Sequence, residues 1–406
     1  IYISPPPGVE EDPDVVYEVR RPLYGMPHSG RCLHVTWSNW LKEQGFYKVG
    51  YEGAMFAKDD GEDKILLSTH VDDSFITGSS TEKLKLFVDA INERFDATFE
   101  WNPSEYIGME WERDRANRTS KLHQAAFSEK MLKAYGAWQH PKPPLTPMRP
   151  DTRLSSEDQP EVADPKLHRR YRAIVGAIGW LNSGTRPDLS YCYAELSKFA
   201  ARPGRVHMDA AEYCLAYISG TYEKGIVYRA GESGEGNTLS GWVDADFAAD
   251  LDTRRSHTGY LLMLNGGPVS WKSTKQKSVS LSTAESEWYA ASEAGKEIIY
   301  LRRILDDFGF EQKGPTTLYE DSRAVICMAE NPVNRKSSRH IDTRRHFIGE
   351  LVAAGTVKLA DCRTDEMVAD ALTKSLPYPS FKKHRATMMG EEVKQSKVYQ
   401  IVMQVG

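Results

Sequence analysis

Cysteine is scarce in this 406-residue chain, and the five present (Cys32, Cys192, Cys214, Cys327, Cys362) are odd in number, scattered and without a C-x-x-C pair. Neither a disulfide framework nor a thiolate zinc site is supported, and a reducing compartment is expected. No apolar run approaches the length of a membrane span, and the opening IYISPPPGVEEDPD lacks the basic and apolar regions of a secretory leader. An initiator methionine is also missing, so Ile1 reads as the cut edge of a larger polypeptide. Positive charge is not in excess: the net charge is −5, which argues against an indiscriminate nucleic-acid coat while leaving local patches open. No internal repeat is found. What is present is ordinary globular usage, 40% hydrophobic and 27% charged, over a length that accommodates two or three domains.

Composition divides the chain. HPKPPLTPMRPDTRLSSEDQPEVADP at 140–165 is too rich in proline for a regular element and reads as a linker or long loop, and RAGESGEGNT at 229–238 is a second break. Between them lie helical patterns from Tyr171, from Leu189 and around HMDAAEYCLAYISGT. After residue 237, TLSGWVDADFAAD, HTGYLLMLNGG and PVSWKSTKQKSVSLS read as three strands. A long helix follows, opened by a Ser282–Glu285 capping box and carrying Trp288, Ala291, Gly295, Ile298, Leu301, Leu305 and Phe308 at three- and four-residue steps. TTLYEDS is a fourth strand running into the helix SRAVICMAE; a basic helix covers about 338–354; GTVKLADCRT is a fifth strand; DEMVADALTKSL is a closing helix. That order implies an α/β (α+β) domain with a mixed five-stranded sheet flanked by helices. The expected division is 1–139, 140–237 (linker and helical connection), 238–380 (the sheet domain) and 381–406 (a tail).

Four acids fall in or beside apolar segments of that domain: Asp244 in the first strand, Glu287 early in the long helix, Asp321 at the end of the fourth strand and Asp370 in the closing helix. A carboxylate near a core costs free energy unless it is paired or bound to a cation, so several at one sheet edge call for metal. Hard oxygen donors select Mg²⁺ or Mn²⁺, and two such ions suit phosphodiester hydrolysis. Each acid also has an ordinary reading. Asp321 with Ser322 caps the next helix, Asp370 is solvated, Asp244 is a strand-end residue, and Asp246 is the rival ligand in the same VDAD motif. Two further acids, Asp72 and Asp73 in STHVDDSFITG at 68–78, taken alone make a hairpin corner. NRKSSRHIDTRRH at 334–346 places Arg335, Lys336, Arg339, Arg344 and Arg345 against one aspartate, which reads either as a solvated helix face or as a strip contacting phosphates.

The stretches GWVDADFAADLDTRRSHTGYLLMLNGGPVSWKSTKQKSVSLSTAESEWYAASEA, YEDSRAVICMAENP, SRHIDTRRHFIGELV and MVADALTKSLP, in that order, resemble the ribonuclease H (RNase H) domain of copia-type retrotransposon Pol polyproteins. The resemblance implies an RNase H-like fold with an acidic quartet on Asp244, Glu287, Asp321 and Asp370. Upstream, IYISPPPG, VRRPLYGMPHSGR, LKEQGF, the HVDD segment and YIGMEWERDRANRTSKL are similar to the reverse-transcriptase palm and following region, and SGTRPDLSYCYAELSKFAARPGRVHMDAAEYCLAYISGT to the segment joining polymerase to nuclease. On that likeness Asp72 and Asp73 match the paired palm aspartates that hold metal. His70 stands where an aromatic residue is usual, Leu33 where a tryptophan is expected, and the family's third palm aspartate lies before Ile1.

The expectations are therefore a retrotransposon enzyme that hydrolyses RNA in RNA/DNA hybrids with Mg²⁺ or Mn²⁺, and that does not itself extend a primer. The alternative is an inactive retroelement relic that binds nucleic acid. Implied partners are RNA/DNA hybrid, RNA template and DNA primer, with no membrane and with self-association open; the implied location is the cytoplasmic virus-like particle or the nucleus.

Overall fold

A computed structural model describes residues 2–5, 8, 15–23, 25–51, 53–150, 152–231, 237–330 and 339–391, with side chains in the last stretch from Thr343 onward. The chain divides into two compact units, one of Ile1–Trp101 with Asp307–Gly309 and one of the remainder. This is not the division that composition suggests at 139: residues 102–139 belong to the second unit.

In the first unit β1 (Tyr2–Ile3) pairs with β2 (Tyr17–Glu18). Helix α1 (Ser29–Glu43) leads into an antiparallel meander of β3 (Tyr47–Val49), β4 (Met55–Asp60), β5 (Asp63–His70) and β6 (Asp73–Gly78), then α2 (Thr81–Arg94). Ser80 caps α2 by accepting the Lys83 N–H. Alternation along β5 turns Ile65 and Leu67 to one face, where Trp37, Trp40 and Leu41 of α1 and Phe87 and Ile91 of α2 cover them.

The second unit begins with β7 (Glu105–Tyr106), β8 (Met109–Asp114) and β9 (Thr119–His123). The helical block follows: α3 (Ala125–Tyr135), α4 (Pro165–Gly184), α5 (Ser190–Ser197) and α6 (Arg205–Ser219). Helix α4 starts where Asp164 accepts two backbone N–H groups and Pro165 fills the first helical position. Strand β10 (Gly225–Arg229) returns to pair with β9. At the turn between α4 and α5 the Arg186 guanidinium, 1% exposed, donates to both oxygens of Asp188 at 2.8 and 2.9 Å, and Tyr217 donates to the same carboxylate at 2.7 Å.

The expected sheet is present: β11 (Ser240–Asp246), β12 (His257–Leu264), β13 (Gly267–Lys275), β14 (Thr316–Glu320) and β15 (Val357–Asp361), in the order β13-β12-β11-β14-β15. The β11–β12–β13 pairs are antiparallel, and the β11–β14–β15 pairs parallel, giving the expected mixed sheet. Helices α7 (Thr283–Asp307), α8 (Arg323–Glu330) and α9 (Arg339–Ala353) follow the predicted order. On one face Trp288, Ala291, Ala294 and Ile298 of α7 pack with Val243, Leu262, Leu318, Val325 and Ile348; on the other, Leu261 and Met263 join the core of the α3–α6 block.

The closing segment differs from expectation. DEMVADALTKSL is not one helix: a 3₁₀ turn at Thr364–Glu366 is followed by α10, only Asp370–Thr373, and then α11 (Tyr378–Met388). Met367, Val368, Ala369, Ala371 and Leu372 are each 4% exposed or less, so the segment is buried on all sides rather than along one stripe. Helix α11 also reaches past the tail boundary expected at 381, burying Phe381, His384 and Met388.

Candidate metal centre

The parallel register sets Trp242 of β11 beside Tyr319 of β14, and their rings stack at 5.3 Å. Continued two residues, the same register carries Asp244 level with Asp321, just beyond the end of β14. Glu287 arrives from the second turn of α7. One ligand oxygen from each of Asp244, Glu287 and Asp321 lies within 4.8 Å of the others, and among the described residues they are the one such group of three or more metal-capable side chains. Asp370, at the start of α10, stands outside this trio but within hydrogen-bond reach of Asp244, and Lys374 Nζ lies 2.8 Å from its Oδ1. All four acids singled out in the sequence thus meet at one end of the sheet. Asp246 and Asp250 are not part of the trio; Asp250 is engaged by Lys198 at 2.9 Å and Lys275 at 3.3 Å.

The electrostatics are those of crowded like charges in a dry place. Burial, then the charges of Glu320, Asp244 and Asp321, push Glu287 up to about 11. Burial and the Asp244 charge raise Asp370 to about 7 against the pull of Lys374, and burial with Asp244 also raises Asp321. Glu287 is 3% exposed; its Oε2 is buried without a hydrogen-bond partner. Such a cluster of oxygen donors, with Glu287 Oε2 and Asp370 Oδ1 both buried and without a hydrogen-bond partner, fits a hard divalent cation. An open cleft of about 680 Å³ begins at Asp321, lined by Arg323, Asp361, Cys362, Arg363, Thr364 and Asp365.

Three neighbours were not singled out in the sequence. Glu320, fully buried, accepts the Ser322 N–H on Oε1, leaves Oε2 without a partner, and is raised well above the usual carboxylate range by burial. The signal existed: alternation in TTLYE places Glu320 on the face of Thr316 and Leu318, toward the core. Thr373 donates from Oγ1 to Asp244 Oδ2, and Lys374 holds Asp370. The Thr373 contact was not legible without knowing that α10 lies on the sheet; the Asp370–Lys374 pair, four residues apart, had a local signal. The Ser322 carbonyl accepts from Val325 and Ile326, so Ser322 rather than Asp321 stands at the cap of α8.

In the first unit Val71 and Asp72 form the two-residue turn between His70 and Asp73, which pair. Val71 has φ +57°, a conformation costly for a β-branched residue and found where the surroundings enforce it. Asp72 and Asp73 are both exposed at this tip.

The basic strip departs from its expected role at Arg344. Its guanidinium lies 3.4 Å from the Tyr289 ring centroid and donates to Ser292 Oγ at 3.3 Å, so it packs α9 on α7 rather than standing free for a phosphate. Arg345 is half-buried. Arg335, Lys336 and the Arg339 side chain lie outside the described residues.

Comparison with known proteins decides the family. The family described as reverse transcriptase (RNA-dependent DNA polymerase) matches residues 1–150. Over 94% of its length the chain is 32% identical to the retrovirus-related Pol polyprotein from transposon TNT 1-94 of Nicotiana tabacum and to that from transposon RE2 of Arabidopsis thaliana. The chain belongs to the copia-type retrotransposon Pol family. It spans 29% and 26% of those two polyproteins. A 132-residue stretch, 32% of this Pol chain, is also 45% identical to 90% of secreted RxLR effector protein 161 of Plasmopara viticola. Among solved structures, LC11-RNase H1 from compost aligns over 34% of this chain and 92% of its own, at 12% identity and TM-score 0.27. The foamy viral protease-reverse transcriptase in complex with dsDNA aligns over 84% and 60%, at 12% identity and TM-score 0.45.

Proposed function

We propose that this Pol chain hydrolyses the RNA strand of RNA/DNA hybrids at the edge formed by Asp244, Glu287, Asp321 and Asp370. The observation that carries the reading is the convergence of three carboxylates from three separate elements within 4.8 Å, with a buried Glu287 oxygen left unpartnered. Asp244, Glu287, Asp321 and Asp370 would hold Mg²⁺ or Mn²⁺, which supplies water activation and neutralises charge on the scissile phosphate. The chain's own contribution is positioning. Thr373 fixes the Asp244 carboxylate, Glu320 holds the Ser322 N–H at the turn that presents Asp321, and Ala245 N–H steadies Glu287. Hybrid would be told from DNA by contacts to the 2′-hydroxyls. Arg335, Lys336, Arg339 and Arg345 are the proposed phosphate contacts, with Arg344 excepted. Asp72 and Asp73 are proposed as metal-holding acids of the polymerase half, supported by their exposed turn and by the reverse-transcriptase match over residues 1–150.

The test is cleavage of an end-labelled RNA/DNA hybrid with Mg²⁺ or EDTA. We expect metal-dependent cleavage that Asp244→Asn lowers by at least about 100-fold, more than supporting residues of a metal site usually cost. Hybrid binding without cleavage by the unaltered chain would reject the reading in favour of an inactive binding protein.

A further inference from the structure

The metal centre is lopsided. Asp244, Glu287 and Asp321 face one another with no cation among them, whereas Asp370, outside that trio, has the Lys374 ammonium 2.8 Å from an Oδ1 that is otherwise without a hydrogen-bond partner. The Lys374 charge bears on Asp244, Asp246, Asp321 and Asp370 together. We propose that Lys374 is a tethered cation filling the Asp370 side of the centre, so that one divalent ion binds the open side readily and a second must displace the ammonium.

Three features separate this from a surface ion pair. The Asp370 side chain is 8% exposed while that of Lys374 is 40% exposed, so the ammonium reaches inward from the rim to a carboxylate that water barely touches. Exposed i,i+4 pairs contribute little, but a buried carboxylate stripped of its partner is far more costly. The arm can also leave. Lys374 ends α10 with extended backbone (φ −149°, ψ 159°), so its side chain swings outward without unwinding a helical turn. Finally, the ammonium is a partial substitute: it pairs with Asp370 and offsets part of the Asp244 charge in the absence of metal, yet it carries one charge where a divalent ion carries two.

The inference rests on the metal-centre reading above, and the experiment separates the two. Mn²⁺ binding to the full chain, without nucleic acid, is followed by electron paramagnetic resonance for the unaltered protein, Lys374→Met, Lys374→Arg and Asp244→Asn, with circular dichroism to confirm folding. We expect Lys374→Met, which keeps the length and loses the charge, to tighten the weaker of the two Mn²⁺ affinities by about 10-fold, and Lys374→Arg to remain as the unaltered protein. Unchanged or weakened Mn²⁺ binding in Lys374→Met, with Asp244→Asn abolishing it, would overturn the role of Lys374 and leave the metal centre standing. Binding unaffected by Asp244→Asn would overturn both.

Discussion

At the scale of single residues, the centre is a crowd of buried carboxyl groups, relieved either by protonation, as the raised Glu287 and Glu320 indicate, or by a cation. Five carboxyl groups, Asp244, Glu287, Glu320, Asp321 and Asp370, crowd one edge, and Lys374 pairs with Asp370 among them. Glu320 is the sharpest case, because its Oε1 serves the backbone of Ser322 while Oε2 serves nothing in the protein. Glu320→Gln keeps an acceptor for Ser322 and removes one acid from the crowd. We expect it to stabilise the metal-free protein by about 1 kcal/mol, as relief of an unpaired buried acid does, and to shrink the additional stabilisation given by Mg²⁺. Thermal denaturation in EDTA and in Mg²⁺ reads both; a fall in stability in EDTA would show that the acid itself is needed for packing.

At the scale of elements, what places Asp370 and Thr373 is a glycine on the neighbouring strand. Gly259 pairs with Asp244 across β11–β12, and a Cβ there would stand 2.8 Å from Leu372 Cβ, 2.9 Å from Thr373 Cγ2 and 3.1 Å from the Ala369 carbonyl. The short helix α10 therefore lies directly on β12 because Gly259 leaves it room. Gly259→Ala should lift α10, costing about 1–3 kcal/mol in a urea titration, as overpacking does, and weakening Mn²⁺ binding through loss of the Thr373–Asp244 and Asp370 contacts. A variant with full stability and unaltered Mn²⁺ affinity would mean that α10 does not depend on this contact.

At the scale of the second unit as a whole, the helical block and the sheet are joined by buried ions. Lys198, just past α5, reaches Asp250 at 2.9 Å, Lys275 of β13 reaches the same carboxylate, and His257, 3% exposed, donates to or accepts from Ser273 at 2.8 Å beside Tyr191. Burial first, then the charges of Lys198 and Lys275 against that of Asp250, hold His257 down to about 3. The folded protein thus refuses a proton that the unfolded chain accepts below about 6.5, so stability is present above that value and is lost as pH falls toward 3. The slope attributable to one histidine is roughly 1.4 kcal/mol per pH unit. We expect His257→Gln to remove that slope from the pH dependence of unfolding between pH 6.5 and 4; an unchanged slope would place the acid sensitivity elsewhere, at His384 first, which burial holds down to about 4.

How much of this was legible follows from range. Strands β11–β15, the helices α7–α9 and the four acids could be read from the sequence because each depends on neighbours within a few residues: alternation, three- and four-residue steps, a Ser282 cap and an ordered series of motifs. Glu320 was legible in the same way and was hidden only by the more familiar Asp321 beside it. The break of the closing segment into α10 and α11, the engagement of Arg344 by Tyr289, and the placing of the Asp370–Lys374 pair beside Asp244 were decided by tertiary structure. Residues 244 and 373 are 129 apart in the chain, and no local pattern encodes the contact between them. It arises because β11 is central in the sheet, its β14 neighbour is parallel and in register, and Gly259 admits α10 to the same edge.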